Sequence, residues 1–210
     1  MSIIGFSSGG TGRVGNTDRL VRAILEKSGR PHTYVKLTDL TFSGCKGCSY
    51  LCAPDRLCHL EDDATPYYRM IKEADAVVLG SPVYSGSING IANSFIERFF
   101  GYRHVTPALK DKPFVLAVCG FRRTEQAVKQ LQRKLKFNGI DVIDTVTYLS
   151  EGPPCLVCGR HRECSIGGLY GMIGDAARTL EITPECFHAW EDDPDVVSAV
   201  EAAAAKLRDL

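Results

Sequence analysis

Seven of the nine cysteines in this 210-residue chain fall into two groups. Cys45, Cys48, Cys52 and Cys58 lie within 14 residues, and Cys155, Cys158 and Cys164 within ten. Four thiolates spaced C-x2-C-x3-C-x5-C can wrap one 4Fe-4S cubane or one zinc ion, because a short loop brings several sulfurs round a single centre. Free or redox-paired thiols are the third reading. Structural zinc more often uses two C-x2-C knuckles with a longer loop between them, whereas these four crowd one loop with Pro54 after Cys52. In the second group, His161 or Cys186 can complete a further centre of zinc or iron-sulfur, and Cys155 with Cys158 can equally form a reversible dithiol. Arg160, His161 and Arg162 can instead make a basic rim for a carboxylate or a nucleotide phosphate.

A second chemistry is written near the N-terminus. Gly10-Thr11-Gly12-Arg13-Val14-Gly15 has the G-x-G-x-x-G spacing of a dinucleotide loop. Ser7, Ser8 and Gly9 lengthen the turn, however. The hydroxyls of Ser7, Ser8, Thr11 and Thr17, with Asn16, can donate to phosphate oxygens beside the amides of a helix N-terminus, which suits a terminal monophosphate. A glycine turn with Asn16 or Thr17 capping a helix is the purely structural alternative.

Both groups need elements to position them. Apolar runs at 3–6, 34–37, 76–80, 114–118 and 140–148 read as strands. Helical periodicity follows Asn16-Thr17 and covers 65–73, 91–100 (with Ile91, Phe95 and Phe99 in register), 124–137 and 195–210. Alternating strands and helices predict an α/β fold, a doubly wound five-stranded parallel sheet in the order 2-1-3-4-5, with one domain over 1–210. Ligands then bind at the carboxyl ends of strands one, three and four. The cysteine loop 44–59 follows strand two, and the Cys/Gly/Pro-rich segment 151–171 fits neither helix nor strand, reading as a flap or a second metal site. The remaining features read as structural. His32, His59, His104 and His188 lack ligand spacing and are expected at the surface or at caps, Trp190 as a packing anchor, and Glu191-Asp192-Asp193 as a cap on the last helix.

Composition excludes several classes. With 44% hydrophobic and 24% charged residues the chain is an ordinary globular protein, and 25 basic residues against 25 acidic ones give no field for nucleic acid or anionic lipid. No apolar run reaches bilayer length and the first residues lack a basic n-region and a cleavage site, so neither membrane nor export is expected and the cytoplasm is.

Four places carry a resemblance. Gly5-Phe6-Ser7-Ser8 with Gly15-Asn16-Thr17 resembles the phosphate loop of the flavodoxin-like NADPH-dependent FMN reductases. Gly80-Ser81-Pro82-Val83-Tyr84-Ser85-Gly86-Ser87 is similar to their loop after strand three, and Phe95-Ile96-Glu97-Arg98 resembles Phe-x-Asp-Arg with Glu for Asp. The cysteine loop resembles that of the iron-sulfur flavoproteins in this group, with spacing two, three and five where two, two and four to seven is typical. Residue Arg13 stands in a loop one residue longer than the family's and without its proline. The resemblance spans about residues 3–148 and implies a flavodoxin-like fold, FMN, a homodimer or homotetramer, and a cluster on one chain near the flavin of another.

The residues suit a flavin. A flat ring needs backbone amides beside an aliphatic or aromatic face, which Pro82, Val83, Tyr84, Ser85, Gly86 and Ser87 offer. Tyr84 can cover the ring. Gly120, Phe121 and Arg122 follow strand four, where amides and a guanidinium can stabilise an anionic reduced flavin; Tyr84 and Arg122 are the only catalytic candidates. Flavin exchanges one electron or two and a cluster only one, so the pair would interconvert the two chemistries. The expectation is an FMN- and 4Fe-4S-containing oxidoreductase serving a small-molecule substrate or a redox partner such as ferredoxin. Its rivals are an NAD(P)H-dependent FMN or quinone reductase with structural cysteines, an FMN-dependent dehydrogenase of a small cyclic carboxylate resembling aminodeoxychorismate dehydrogenases, and a non-enzymatic flavodoxin-like carrier.

Overall fold

Alternate residues of each strand serve opposite layers, so the order of elements fixes two cores. In the computed structural model, which describes residues 2–210, the strands are β1 (Ile3–Ser7), β2 (His32–Lys36), β3 (Ala76–Tyr84), β4 (Ser87–Ile88), β5 (Pro113–Gly120) and β6 (Asp141–Leu149). The helices are α1 (Asn16–Lys27), α2 (Ser49–Cys52), α3 (Thr65–Glu73), α4 (Gly90–Glu97), α5 (Thr124–Phe137), α6 (Cys155–Cys158), α7 (Gly168–Ile173) and α8 (Pro194–Arg208). The sheet runs β2-β1-β3-β5-β6, all parallel, which is the expected 2-1-3-4-5 order.

Ile4, Phe6, Val77, Leu79, Phe114 and Leu116 face α3, α4 and α5, whose Tyr68, Phe95 and Leu131 pack on them. Ile3, Val78, Val115 and Ala117 face α1 and α8, meeting Leu20, Ile24, Val200 and Leu207. Each Val, Leu, Ile or Phe among them, when fully buried, contributes ~1.5–3 kcal/mol. The register is set by this alternation, since a slip of one residue would exchange the two faces; β1 and β3 pair Ile3 with Ala76 through to Ser7 with Gly80.

Three details depart from expectation. β3 runs on to Tyr84 and turns back through Ser85 and Gly86 into β4, both turn residues being left-handed at φ 52° and 79°; a two-residue hairpin of this hand matches strand twist. The helix expected over 91–100 ends at Glu97 and continues as a 3₁₀ turn over Arg98–Arg103. Its buried stripe is Ala92, Phe95, Ile96 and Phe99, at i, i+3, i+4 and i+7, so Ile91 falls outside it and is 37% exposed. The Cys-rich segment after β6 is not structureless: α6 and α7 lie within it.

Candidate functional site

Loops at the carboxyl ends of β1, β3, β5 and β6 enclose a cavity of about 440 Å3, within the usual range of cofactor pockets, ~300–1,000 Å3. One end is the first loop, with Arg13, Gly15, Asn16 and Thr17; the other holds Pro82, Val83, Tyr84, Gly120 and Phe121. Of the residues expected to bind a cofactor, these nine meet in one space.

Six others do not line it. Ser7 and Ser8 are fully buried, and their hydroxyls are spent inside the fold: Ser7 Oγ donates to Asp18 Oδ1 at 2.6 Å and Ser8 Oγ to the Gly80 carbonyl at 3.1 Å. They shape the loop and present no hydroxyl to a ligand. Ser87 Oγ donates to Gln130 at 2.6 Å, Ser85 and Gly86 form the hairpin turn, and the Arg122 guanidinium lies on the Phe121 ring, 4.9 Å from its centroid.

Asp18 is the hidden organiser of the first loop. Its carboxylate accepts from Ser7 Oγ, from the Gly15 amide at 2.9 Å, from Tyr34 OH at 3.0 Å and from Lys36 Nζ at 3.1 Å. Burial alone would raise its pKa, but the hydrogen bonds from Ser7, Gly15 and Lys36 outweigh that and hold it below the ordinary value. The same burial, reinforced by the Asp18 charge, pushes the Tyr34 phenol up to about 12. Cys119 also lines the cavity; burial pushes its thiol up to about 12 against a hydrogen bond with Thr17 and the charge of Arg19, which favours the protonated form.

The third wall was read from sequence only as a flap or metal site. Gly152, Pro153, Pro154, Leu156 and Val157 line it, with Cys186, Phe187 and His188. It is latched to the first turn of α1: Asn16 Nδ2 donates to the His188 carbonyl at 3.3 Å, the Trp190 amide donates to Asn16 Oδ1 at 3.4 Å, and Arg19 pairs with Glu191 at 2.7 Å. Tyr84, Val157 and Phe187, each about half exposed, stand around the cavity. Trp190 is buried as an anchor, and Asp193 caps α8 by accepting from the Asp195 amide at 3.0 Å and the Val196 amide at 3.3 Å; Glu191, expected to cap as well, instead serves the latch.

The four-cysteine loop packs apart from this cavity, against the end of α4. Arg98, fully buried, donates through Nη1 to both oxygens of Asp62 at 2.8 and 2.7 Å, through Nη2 to the Leu60 carbonyl, and through Nε to the Cys58 sulfur at 3.2 Å. Its guanidinium lies over the Tyr68 ring, 4.5 Å from the centroid. The Gly47 amide donates to the Cys45 sulfur at 3.4 Å. His104, expected at the surface, is half-buried with Nε2 3.2 Å from the Cys52 sulfur, because the 3₁₀ turn carries it back under α2. Burial and then the neighbouring charges of Cys58 and Cys48 raise the Cys52 thiol. Four sulfurs, two of them with N–H donors beside them, suit iron-sulfur ligation in donor type and number. Among the described residues, though, no three His, Cys, Asp or Glu side chains stand within reach of one ion.

A doubly wound parallel sheet with a cleft where its strand order reverses defines a protein of flavodoxin-like fold. A solved flavodoxin from the domain Archaea overlays on it with a TM-score of 0.55 at 11% identity, covering 100% of this chain and 97% of that one. The chain belongs to the NADPH-dependent FMN reductase family, whose model matches residues 1–153. It is 31% identical over 133 residues to an iron-sulfur flavoprotein of Archaeoglobus fulgidus (61% of this chain, 60% of that protein) and 34% identical over 101 residues to one of Methanocaldococcus jannaschii (47% and 51%). These matches bear out the resemblance read from the motifs; the chain spans between half and two-thirds of the length of those two relatives. No helix among the described residues is long and apolar enough to cross a membrane.

Proposed function

We propose that the cavity at the carboxyl edge of the sheet binds FMN and that the protein is an FMN-dependent oxidoreductase. The observation that carries the reading is the meeting, in one cavity, of an anion-binding loop and two loops with an apolar face. The phosphate takes the amides of the first loop, Thr17 and Asn16, with Arg13 as counter-charge. Pro82, Val83 and Tyr84, with Gly120 and Phe121, would hold the ring, and the wall from Gly152 to Val157 would shield it from water. Bound flavin supplies one- or two-electron transfer. NAD(P)H, a small-molecule substrate or a protein such as ferredoxin supplies or takes the electrons.

Cys45, Cys48, Cys52 and Cys58 would carry a 4Fe-4S cluster that exchanges electrons singly with the flavin. Arg98 and the Gly47 amide donate hydrogen bonds to that ligand set. No residue of the cysteine loop lines the cavity, which favours transfer between subunits of a homodimer or homotetramer. A second reading, an NAD(P)H-dependent FMN or quinone reductase without a cluster, is favoured by the lack of three convergent metal donors among the described residues.

The test is FMN titration of the flavin-free chain, followed by anaerobic NADPH and reduced ferredoxin in separate cuvettes. Stoichiometric FMN binding and bleaching by either donor support the oxidoreductase. Binding without reduction by either would leave a small-molecule substrate as the electron source, and a chain that binds no FMN would sink the reading.

A further inference from the structure

The flap from Ser150 to Asp193 carries more irregular backbone than its own core can hold. Its buried apolar cluster joins Leu156, Leu169 and Ala177, with Cys155, Tyr170, Leu180, Ile182 and Cys186 half-buried against it, a small core to set against the entropy of ordering such a stretch. Segments of that kind are commonly stapled by a disulfide or a metal, and all nine cysteines of the chain are unpaired.

Within the flap a ligand recurs every third residue: Cys155, Cys158, His161 and Cys164. The sulfurs of Cys155 and Cys164 converge on Gly167, 2.9 and 3.1 Å from the point a β-carbon would occupy there. They are therefore no further apart than those two distances together, and no side chain fits between them. The Leu169 amide donates to the Cys155 sulfur at 3.4 Å, the kind of contact that supports a thiolate ligand.

His161 is 6% exposed. Its Nε2 lies 2.9 Å from the Leu180 carbonyl oxygen; a carbonyl only accepts, so Nε2 carries the proton and Nδ1 presents a lone pair. That Nδ1 is buried with no hydrogen-bond partner among the described residues. An imidazole that donates one nitrogen to a backbone carbonyl and keeps the other free is the arrangement of a metal-bound histidine.

We propose that Cys155, Cys158, His161 and Cys164 form a structural zinc site that rigidifies the flap over the cavity. Three thiolates and one imidazole with no open position suit tetrahedral zinc. No three of these side chains are within reach of one ion as the flap stands, so capture of zinc closes residues 155–164 and its binding energy becomes folding energy of the flap. Cys186 is left out of the set, because four ligands already close a tetrahedral site and its sulfur lies 3.9 Å from both Thr183 Oγ1 and the Glu181 carbonyl. The site is independent of whether the first cysteine loop holds iron.

The test is zinc, iron and acid-labile sulfide analysis of the full chain and of three variants: C155S/C164S, H161C, and C45S/C48S/C52S/C58S. About one zinc per chain is expected in the wild type, in H161C and in the quadruple variant, and none in C155S/C164S. Independently of any variant, alkylation of the native wild-type chain followed by mass spectrometry should find Cys155, Cys158 and Cys164 protected with Zn2+ present and labelled after chelation. Zinc content unchanged in C155S/C164S, iron and sulfide held by these cysteines in place of zinc, or equal labelling with and without Zn2+ would each overturn the proposal.

Discussion

Arg98 Nε donates to the Cys58 sulfur at 3.2 Å from a position with no solvent access, while its Nη1 holds both oxygens of Asp62. One guanidinium thus ties the cysteine loop to the aromatic core through Tyr68. The sequence motif around it, Phe95-Ile96-Glu97-Arg98, acquires a physical meaning: the arginine is a buried cation beside sulfur.

Arg98→Met removes that cation and leaves Asp62 unpaired, which should cost about 3–5 kcal/mol, the usual loss on breaking a buried pair. Chemical denaturation reads it directly. A loss under about 1 kcal/mol, the scale of an exposed pair, would mean the guanidinium is not a structural tie.

The Asp18 carboxyl titrates below its ordinary range in the folded chain. A depressed folded value means that its stabilising contribution is fully present above the unfolded value, ~3.9, and is lost as pH falls through the lower, folded one. Acid unfolding of Asp18→Asn should therefore lose part of its pH dependence below about pH 4. Parallel acid limbs for variant and wild type would remove Asp18 from the account.

Thr17→Ala should weaken FMN binding by about 1–3 kcal/mol, the loss expected when a hydrogen bond to a charged group goes. Asn16→Ala should do the same and also release the flap, since Asn16 bonds the His188 carbonyl and the Trp190 amide. Faster proteolysis between residues 150 and 190 would report the second effect. Unchanged affinity in both variants would move the phosphate elsewhere.

Cys119 lines the cavity yet its thiol is held up at about 12 by burial. It should resist alkylation in the folded, metal-free chain near neutral pH while the exposed Cys45 reacts. Labelling of Cys119 at a rate like that of Cys45 would show that it ionises and can take part in chemistry.

Much of this molecule was legible in its sequence, for physical reasons that differ by element. Thr65–Glu73 and Thr124–Phe137 were bounded to the residue because apolar periodicity stops where the helix does. The sheet order followed from alternation of strand and helix. Ser7 and Ser8 misled, since a hydroxyl beside a glycine loop looks alike whether it faces a ligand or, as here, a buried Asp18 and the Gly80 carbonyl. His104 and the cavity wall at 186–189 could not be placed, because their contacts cross dozens of residues of chain and leave no period. The odd richness of 151–171 in Cys, Gly and Pro was the one local signal that the wall existed.

A flavin in the cavity and a cluster on the first cysteine loop would both be visible after anaerobic purification, in the absorption spectrum and in flavin, iron and sulfide analysis. About one FMN per chain is expected, with about four irons and four sulfides that disappear in C45S/C48S/C52S/C58S while the flavin stays. A chain that neither retains nor rebinds FMN would contradict a flavin in the cavity.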